Sequence, residues 1–518
     1  MQVRFLPGAS RLAVKDAIEP YRDPCYGPAV LVSQSAPSAP PDAVSHPEPG
    51  DRSSGPEPRT LWPFMRRHCW WSVAVGLTLL SIAITYWART RPGFDPYGWL
   101  VWGHQTLQAS LDTNAAPSWK PLPYLFTVAY ALTGHLELRL WMITATAVSL
   151  SGSVFAARIV YKLTDAPPQR RWPAITAAVF AGVAVLGIQD YTHYILSSQS
   201  DPMIVSLCLG AIDCHLHDRP RAAFGLLLLA SLGRPETWAF LGLYSIWSWR
   251  RLPAMRWLLV TGWVLLAALW FGIPAITSRT PFVSASNALD SGRRLTSNQV
   301  FGTIGRFLAV NELPVELAAL IGVGLAFLRR DRVTLTLAAA IVLWVLIEIA
   351  FALHGWPGLA RYMFEAGGVL VVLAGVGVGR LLTDSPRWSS VPSWAGAALV
   401  AVLVASLVPA AISHAGVERS DLHEQRARTA EIGRLGYVVD QLGGAARIRG
   451  CGEPLTRLQY QTMLAYTIGE NVNRVGFKYR QSIAHGNPII LFTPHPTGIG
   501  WTVKAYHQTA PACRSLPH

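Results

Sequence analysis

Residues 71–105 read "WSVAVGLTLLSIAITYWARTRPGFDPYGWLVWGHQ". The run from Trp71 to Ala88 carries no charge and approaches the roughly 20 residues that a straight membrane crossing needs. Beyond Arg89 and Arg91 comes a single carboxylate, Asp95, followed by Pro96, Tyr97, Trp99 and Trp102. An apolar helix that opens into an acid and a band of aromatics reads as a membrane span reaching its boundary.

The rest of the chain supports that reading. Of 518 residues, 51% are hydrophobic and only 14% are charged. Soluble domains carry about 25% charged residues, so the composition is that of a polytopic membrane protein. The net charge of +14 is scattered in short basic clusters between apolar runs. That is the pattern of cytoplasmic loops, and nucleic acid is not an expected partner. Arginine-rich, alanine-rich usage resembles a GC-rich bacterial genome.

Apolar runs lie at about 71–88, 138–160, 172–188, 200–216, 221–233, 237–250, 256–275, 313–329, 331–352, 361–381 and 393–413. The expected fold is therefore an all-α polytopic bundle of about eleven transmembrane helices. With Arg66 and Arg67 inside, alternation also places Lys162, Arg170, Arg171, Arg219, Arg221, Arg250, Arg251, Arg329, Arg330 and Arg332 inside. Every short basic loop then falls on one side, as the positive-inside rule requires. The short run 121–134 breaks this parity if it crosses, so it reads as a half-buried or re-entrant helix.

Three regions result. Residues 1–65, rich in Pro and Ser, read as a disordered cytoplasmic tail. Residues 66–413 form the transmembrane domain. Residues 414–518 read as a small extracytoplasmic α/β domain, with strands at "PIILFTP" and "WTVKAYH" and a helix at "LTRLQYQTMLAYTIG". Cys451 and Cys513 both fall in this region, where an oxidising compartment permits a disulfide; two unpaired thiols are the alternative. Cys69, Cys208 and Cys214 read as packing residues.

The outer side collects the candidate chemistry: Asp95, Lys120, "QDYTHYILSSQSD" (189–201), "GRPE" (233–236), the loop 276–312 and "HGWPGLARYMFE" (354–365). Leu100, His104, Leu107 and Leu111 share a face at helical spacing, which suits a helix lying on the membrane surface. Asp95 before Pro96 is also a sound helix start, so capping competes with catalysis there. At Asp201, in "SDP", capping is the preferred reading. Ionisable residues at membrane depth are otherwise candidates for function.

These segments resemble the GT-C superfamily of integral membrane glycosyltransferases, which use polyprenyl-phosphate-linked sugars. The resemblance rests on the Asp beside an aromatic helix in the first outer loop and on "WKPLPYLFTVAYALTG". Its Lys120-Pro-x-x-Tyr124 pattern is similar to the "KPP" segment of the aminoarabinose and protein-mannosyl transferase branch. "LGRPETWAFLGLY" looks like the Arg-Pro-Glu segment of actinobacterial members. The resemblance implies a base at Asp95 and inverting transfer of one sugar, of the mannose or arabinose class, to a cell-envelope glycan, lipid or protein. It implies a plasma-membrane enzyme; the basic Arg66 and Arg67 before the first span place the amino terminus in the cytoplasm.

No Asp-x-Asp occurs in the sequence, so no cofactor or divalent metal is expected. Cationic side chains are the expected partners of the leaving phosphate: Lys120 first, Arg234 next, then Arg293, Arg294 and Arg361, which otherwise anchor helices at the lipid boundary. Glu236, Tyr191, His193, His354, Trp102 and Trp356 are candidates for orienting the acceptor sugar. Trp99 reads as an aromatic-belt anchor. A transporter or lipid flippase and a non-catalytic envelope assembly protein are the rival classes. The first would show paired halves with interrupted helices, and no such repeat is visible.

Overall fold

The computed structural model describes residues 69–164, 166, 169–290, 295, 298–384, 394–495, 500–513 and 515–517. The chain divides into compact units at residues 1–76 and 77–518. Of the first, only the opening turns of helix α1 (Cys69–Ala88) are described; everything below concerns the second. The expected tail at 1–65, and Arg293 and Arg294, lie outside the described residues.

Each expected apolar run within the described residues is a helix. After α1 come α2 (Phe94–Leu107), α3 (Pro121–Ala131), α4 (Glu137–Thr164), α5 (Trp172–Leu186), α6 (Tyr191–Leu196) and α7 (Asp201–Leu216). There follow α8 (Pro220–Gly233), α9 (Trp238–Arg251), α10 (Arg256–Ala267) and α11 (Ile273–Thr277), the last two joined by a π-helical turn. Then come α12 (Val283–Leu289), α13 (Gln299–Leu308), α14 (Leu313–Arg329), α15 (Arg332–Leu353), α16 (Phe364–Asp384) and α17 (Ala395–Gln441).

Six helical stretches among the described residues are long and apolar enough to cross a membrane, or seven if the pair α13–α14, bent by 94°, is one span. The chain is a multi-pass membrane protein. The eleven expected spans include short helices. At 1.5 Å per residue, α8 and α9 each rise only about 21 Å, against a hydrocarbon core of about 30 Å. The first ends at the Gly233–Pro235 break and the second begins just after it. Residues 121–134 yield the 11-residue α3, too short to cross and consistent with a half-buried helix.

Helix α16 runs through the middle of the bundle, with Val371, Ala374 and Val376 fully covered. It meets α14 at Gly322 and Gly377. A Cβ on Gly377 would lie 2.2 Å from the Ala318 carbonyl oxygen, and one on Gly322 would lie 2.4 Å from that of Leu373. Only glycine permits this backbone approach, which is how helices pack tightly where the hydrophobic effect offers little.

Helix α17 is one 47-residue element, roughly 70 Å long. The domain boundary expected at 413/414 therefore falls inside a continuous helix that carries the chain from the bundle into the C-terminal domain. That domain adds α18 (Gly444–Cys451), α19 (Gln461–Ile468), α20 (Tyr479–Ala484) and a three-stranded sheet. β1 (Glu453–Thr456) pairs parallel with β2 (Ile489–Pro494), and β2 pairs antiparallel with β3 (Trp501–Tyr506). The two anticipated strands are β2 and β3. The anticipated helix is split: its first residues form the end of β1 and a 3-10 turn, and α19 supplies the rest. A disulfide joins Cys451 to Cys513.

The setting of α2 corrects the expectation of a surface-lying helix. One face, Trp99, Leu100 and Trp102, packs into an aromatic core with Trp119 and Trp141. The other, Tyr97 and Val101, packs into the core of the C-terminal domain with Tyr460, Met463 and Leu464. The helix is buried between bundle and domain. Trp99 is not an aromatic-belt anchor, because both flanks of the helix are covered by protein.

Candidate active site

Five helix beginnings converge at one end of the bundle, and each brings a charged side chain. Asp95 sits in the first turn of α2, Lys120 immediately precedes α3, and Asp201 opens α7. Arg234 joins α8 to α9, and Arg361 lies in the 3-10 turn leading into α16. Four of the five precede a proline: Pro96, Pro121, Pro202 and Pro235. A residue before proline is pushed toward extended backbone. Lys120 (φ −140°, ψ 114°) and Arg234 (φ −146°, ψ 131°) adopt it, and each presents its side chain where a helix restarts. Helix N-termini carry partial positive charge, so their convergence adds to the field of the three cations.

Asp201 is the hub. It is fully buried and forms an ion pair with Arg234 Nη2. Lys120 Nζ lies 4.0 Å from one of its oxygens and Arg361 Nη1 3.8 Å from the other. Arg361 Nη1 also lies 3.7 Å from Asp95. The cations differ in their engagement. Arg234, 2% exposed, is held by Asp201, by Glu365 at 3.1 Å, by Glu236 at 3.8 Å and by the Tyr362 ring. Lys120 and Arg361, 16% and 15% exposed, reach Asp201 only at long range; Lys120 also donates to the Ser200 hydroxyl at 3.3 Å, and the two lean on the Trp99 and Tyr194 rings. Burial pushes the Lys120 ammonium below its ordinary value, against the pull of Asp201.

Asp201 Oδ2, Arg361 Nε and both Glu365 oxygens are buried without a hydrogen-bond partner in the protein. Buried polar groups are nearly always paired, so these atoms, of which Glu365 Oε1 has only its ion pair with Arg234, mark the helix junction as a candidate site for a polar ligand. Asp95, 21% exposed, is its most accessible acid.

The preferred capping reading for Asp201 fails. Ser200 is the N-cap of α7, and Asp201 instead sits among three cations. Asp95 does not cap either, since Gly93 occupies that position of α2. Asp201 and Glu365 are the members that sequence reasoning missed. The signal for Asp201 was a fourth charged residue before proline on the outer face.

Glu236, buried against Arg234, joins this cluster through it, and the other candidates lie elsewhere. Tyr191 is fully buried, donates its hydroxyl to the Pro202 carbonyl and packs on Phe364. His193 Nδ1 lies 2.7 Å from Asp421 of α17. His354 is exposed at the end of α15, and Trp356 stacks on Phe351. Trp102 is wholly covered and lies against Trp119, so it has no face open to a sugar. Among the described residues, no group of three or more His, Cys, Asp or Glu side chains is placed to hold a metal ion.

No protein-family model matches the chain, and no curated protein matches it in sequence. Two solved structures of ArnT from Cupriavidus metallidurans are similar to it. The one bound to undecaprenyl phosphate has a TM-score of 0.45 at 15% identity, covering 83% of this chain and 94% of that one. The apo structure has a TM-score of 0.46 at 17% identity, covering 82% and 94%. Neither likeness carries an argument about activity.

Proposed function

We propose that the chain is a membrane glycosyltransferase of the GT-C type that moves one sugar from a polyprenyl-phosphate donor to a cell-envelope acceptor with inversion. The observation that carries this reading is the convergence of Lys120, Arg234 and Arg361 on buried Asp201, beside the more accessible Asp95. Cations and helix N-termini gathered at the outer boundary of a bundle suit the phosphate of a lipid whose tail stays in the bilayer.

In this reading Lys120 and Arg361, whose contacts with Asp201 are long, turn toward the donor phosphate. Arg234, already engaged, fixes Asp201 and Glu365 and so positions the other two. Asp95 accepts the proton of an acceptor hydroxyl as that oxygen bonds to the anomeric carbon. The bond from that carbon to the phosphate oxygen breaks, and polyprenyl phosphate leaves with both electrons. A phosphate monoester is a weak base, so charge stabilisation is the main demand on the site.

The sugar is of the mannose or arabinose class, and the acceptor is a glycan, glycolipid or protein. The basic ends of α4, α9 and α14 face the cytoplasm of a plasma membrane, and the C-terminal domain lies outside. The test is transfer from radiolabelled polyprenyl-phosphate mannose and arabinose in native membranes, wild type beside Asp95→Asn at equal expression. Transfer by the wild type alone supports the enzyme and its base. Equal transfer by both removes Asp95 from catalysis, and transfer by neither rejects the donor class.

A further inference from the structure

A polar cavity, of about 310 Å³, lies where the C-terminal part of α2 and the segment after it meet the C-terminal domain. Sites for small ligands begin at roughly this volume. His104 follows Asp95 by about two and a half helical turns, so it stands some 14 Å along α2 and on the opposite face. The cavity is therefore separate from the cluster around Asp201.

Its wall is built around a buried carboxylate. Glu137, 1% exposed, accepts a hydrogen bond from the Tyr466 hydroxyl at 2.6 Å, and His104 Nε2 lies 2.7 Å from both of its oxygens. That pairing raises the His104 pKa. A carboxylate so placed is costly unless fully hydrogen-bonded, and here it fixes two side chains of the lining, one from each side of the seam. Across the opening, Asn473 of the domain donates to Asp112 of the segment after α2.

The chemistry of the lining is nearly neutral in sum. Glu470 is matched by Arg474 at 3.5 Å and by Arg449 at 4.0 Å. Asp112 is held by Asn114 at 2.7 Å and by Asn473. Glu470 and Arg474 keep further lone pairs and N–H donors while their charges are already balanced, and Asp112 is held by neutral carboxamides. Planar carboxylates, carboxamides and a guanidinium, each offering two points in one plane, match neighbouring hydroxyls. Val101 and Ala465 supply a small apolar floor.

We infer that this cavity binds an uncharged glycan unit, a second carbohydrate site between α2 and the C-terminal domain. It holds sugar away from the reacting centre, as a longer acceptor chain would require. The binding itself does not depend on the transfer reaction proposed above.

The test uses full-length protein in nanodiscs and neutral oligosaccharides of mannose, arabinose, galactose and glucose, read by saturation-transfer NMR. At least one binds to wild type and equally to Asp95→Asn. Asn473→Trp, which fills the cavity, and Glu470→Gln each weaken that binding by roughly tenfold or more. An intact Cys451–Cys513 disulfide and an unchanged melting temperature show that these variants are folded. Binding by no member of the set overturns the inference. So does binding that survives both substitutions, or binding confined to phosphate-bearing sugars such as mannose 6-phosphate.

Discussion

At one end of the bundle, Arg380 and Asp331 close on each other. Asp331 also accepts from the Val333 and Thr334 amides at 3.0 and 3.3 Å and from the Thr334 hydroxyl at 2.5 Å. Nearby helix ends hold Arg158 3.3 Å from both oxygens of Asp213, with His217 Nδ1 at 3.2 Å. At the other end, Lys120, Arg234 and Arg361 share Asp201, with contacts stretched to 3.8 and 4.0 Å for two of the three. Both ends bury charge between helices. The first does so with compact, largely matched pairs that hold helix ends together. The second leaves two of its three cations on long contacts with Asp201 and gathers more unpaired polar atoms than the single Arg380 Nη1 at the first, an arrangement that costs stability unless a ligand completes it.

The largest expected effect separates the two ends by chemistry. Asp95→Asn keeps the shape of the site but removes the proposed base, and general-base catalysis is worth about 10²- to 10⁴-fold. The rate of transfer per folded molecule should fall by that order, with melting temperature unchanged. Next comes Asp201→Asn, which leaves three cations around a neutral amide. Breaking a buried pair costs about 3–5 kcal/mol, and denaturant unfolding in detergent should show a loss of this order together with lost transfer.

The opposite end should behave differently. Arg380→Met removes the partner of Asp331, which is 22% exposed, so about 2 kcal/mol of stability is expected to go. Transfer per folded molecule should stay at the wild-type level. If it falls as far as in Asp95→Asn, the distinction between structural and functional charge collapses.

The smallest effect belongs to His104. Its pKa is raised from 6.5 by the hydrogen bond to Glu137, so the folded state holds the proton more tightly than the unfolded chain. The stabilisation is complete below the unfolded value and is lost as pH rises through the folded one. With the histidine side chain 43% exposed, solvent screening keeps the contribution under about 1 kcal/mol. The gap in melting temperature between wild type and His104→Gln should shrink as pH rises through this window. A gap that widens would contradict the assignment.

Much of this was legible in the sequence. Lys120 stood out through the resemblance of its Lys-Pro-x-x-Tyr pattern, Arg234 because charge at membrane depth is expensive, and Arg361 only as a helper to these two. The cysteine pair stood out because Cys451 and Cys513 were alone in the C-terminal region. Asp201 was hidden because Asp-Pro is an ordinary helix start, and only the meeting of five helix ends distinguishes a hub from a cap. Trp99 and Trp102 were misplaced for a related reason: what covers α2 is a domain hundreds of residues later, which no local pattern records. β1 escaped because "EPLT" is short and contains a proline, both weak signals for a strand.

The most direct test of the difference between the two ends is the affinity of purified protein in nanodiscs for polyprenyl phosphate. Wild type, Lys120→Met, Arg361→Met and Arg380→Met would be compared. A charged hydrogen bond is worth about 1.5–3 kcal/mol, so Lys120→Met and Arg361→Met should each bind roughly 10- to 100-fold more weakly, while Arg380→Met binds as wild type does. Equal affinity in all four proteins would contradict the assignment of the Asp201 cluster as the donor-phosphate site.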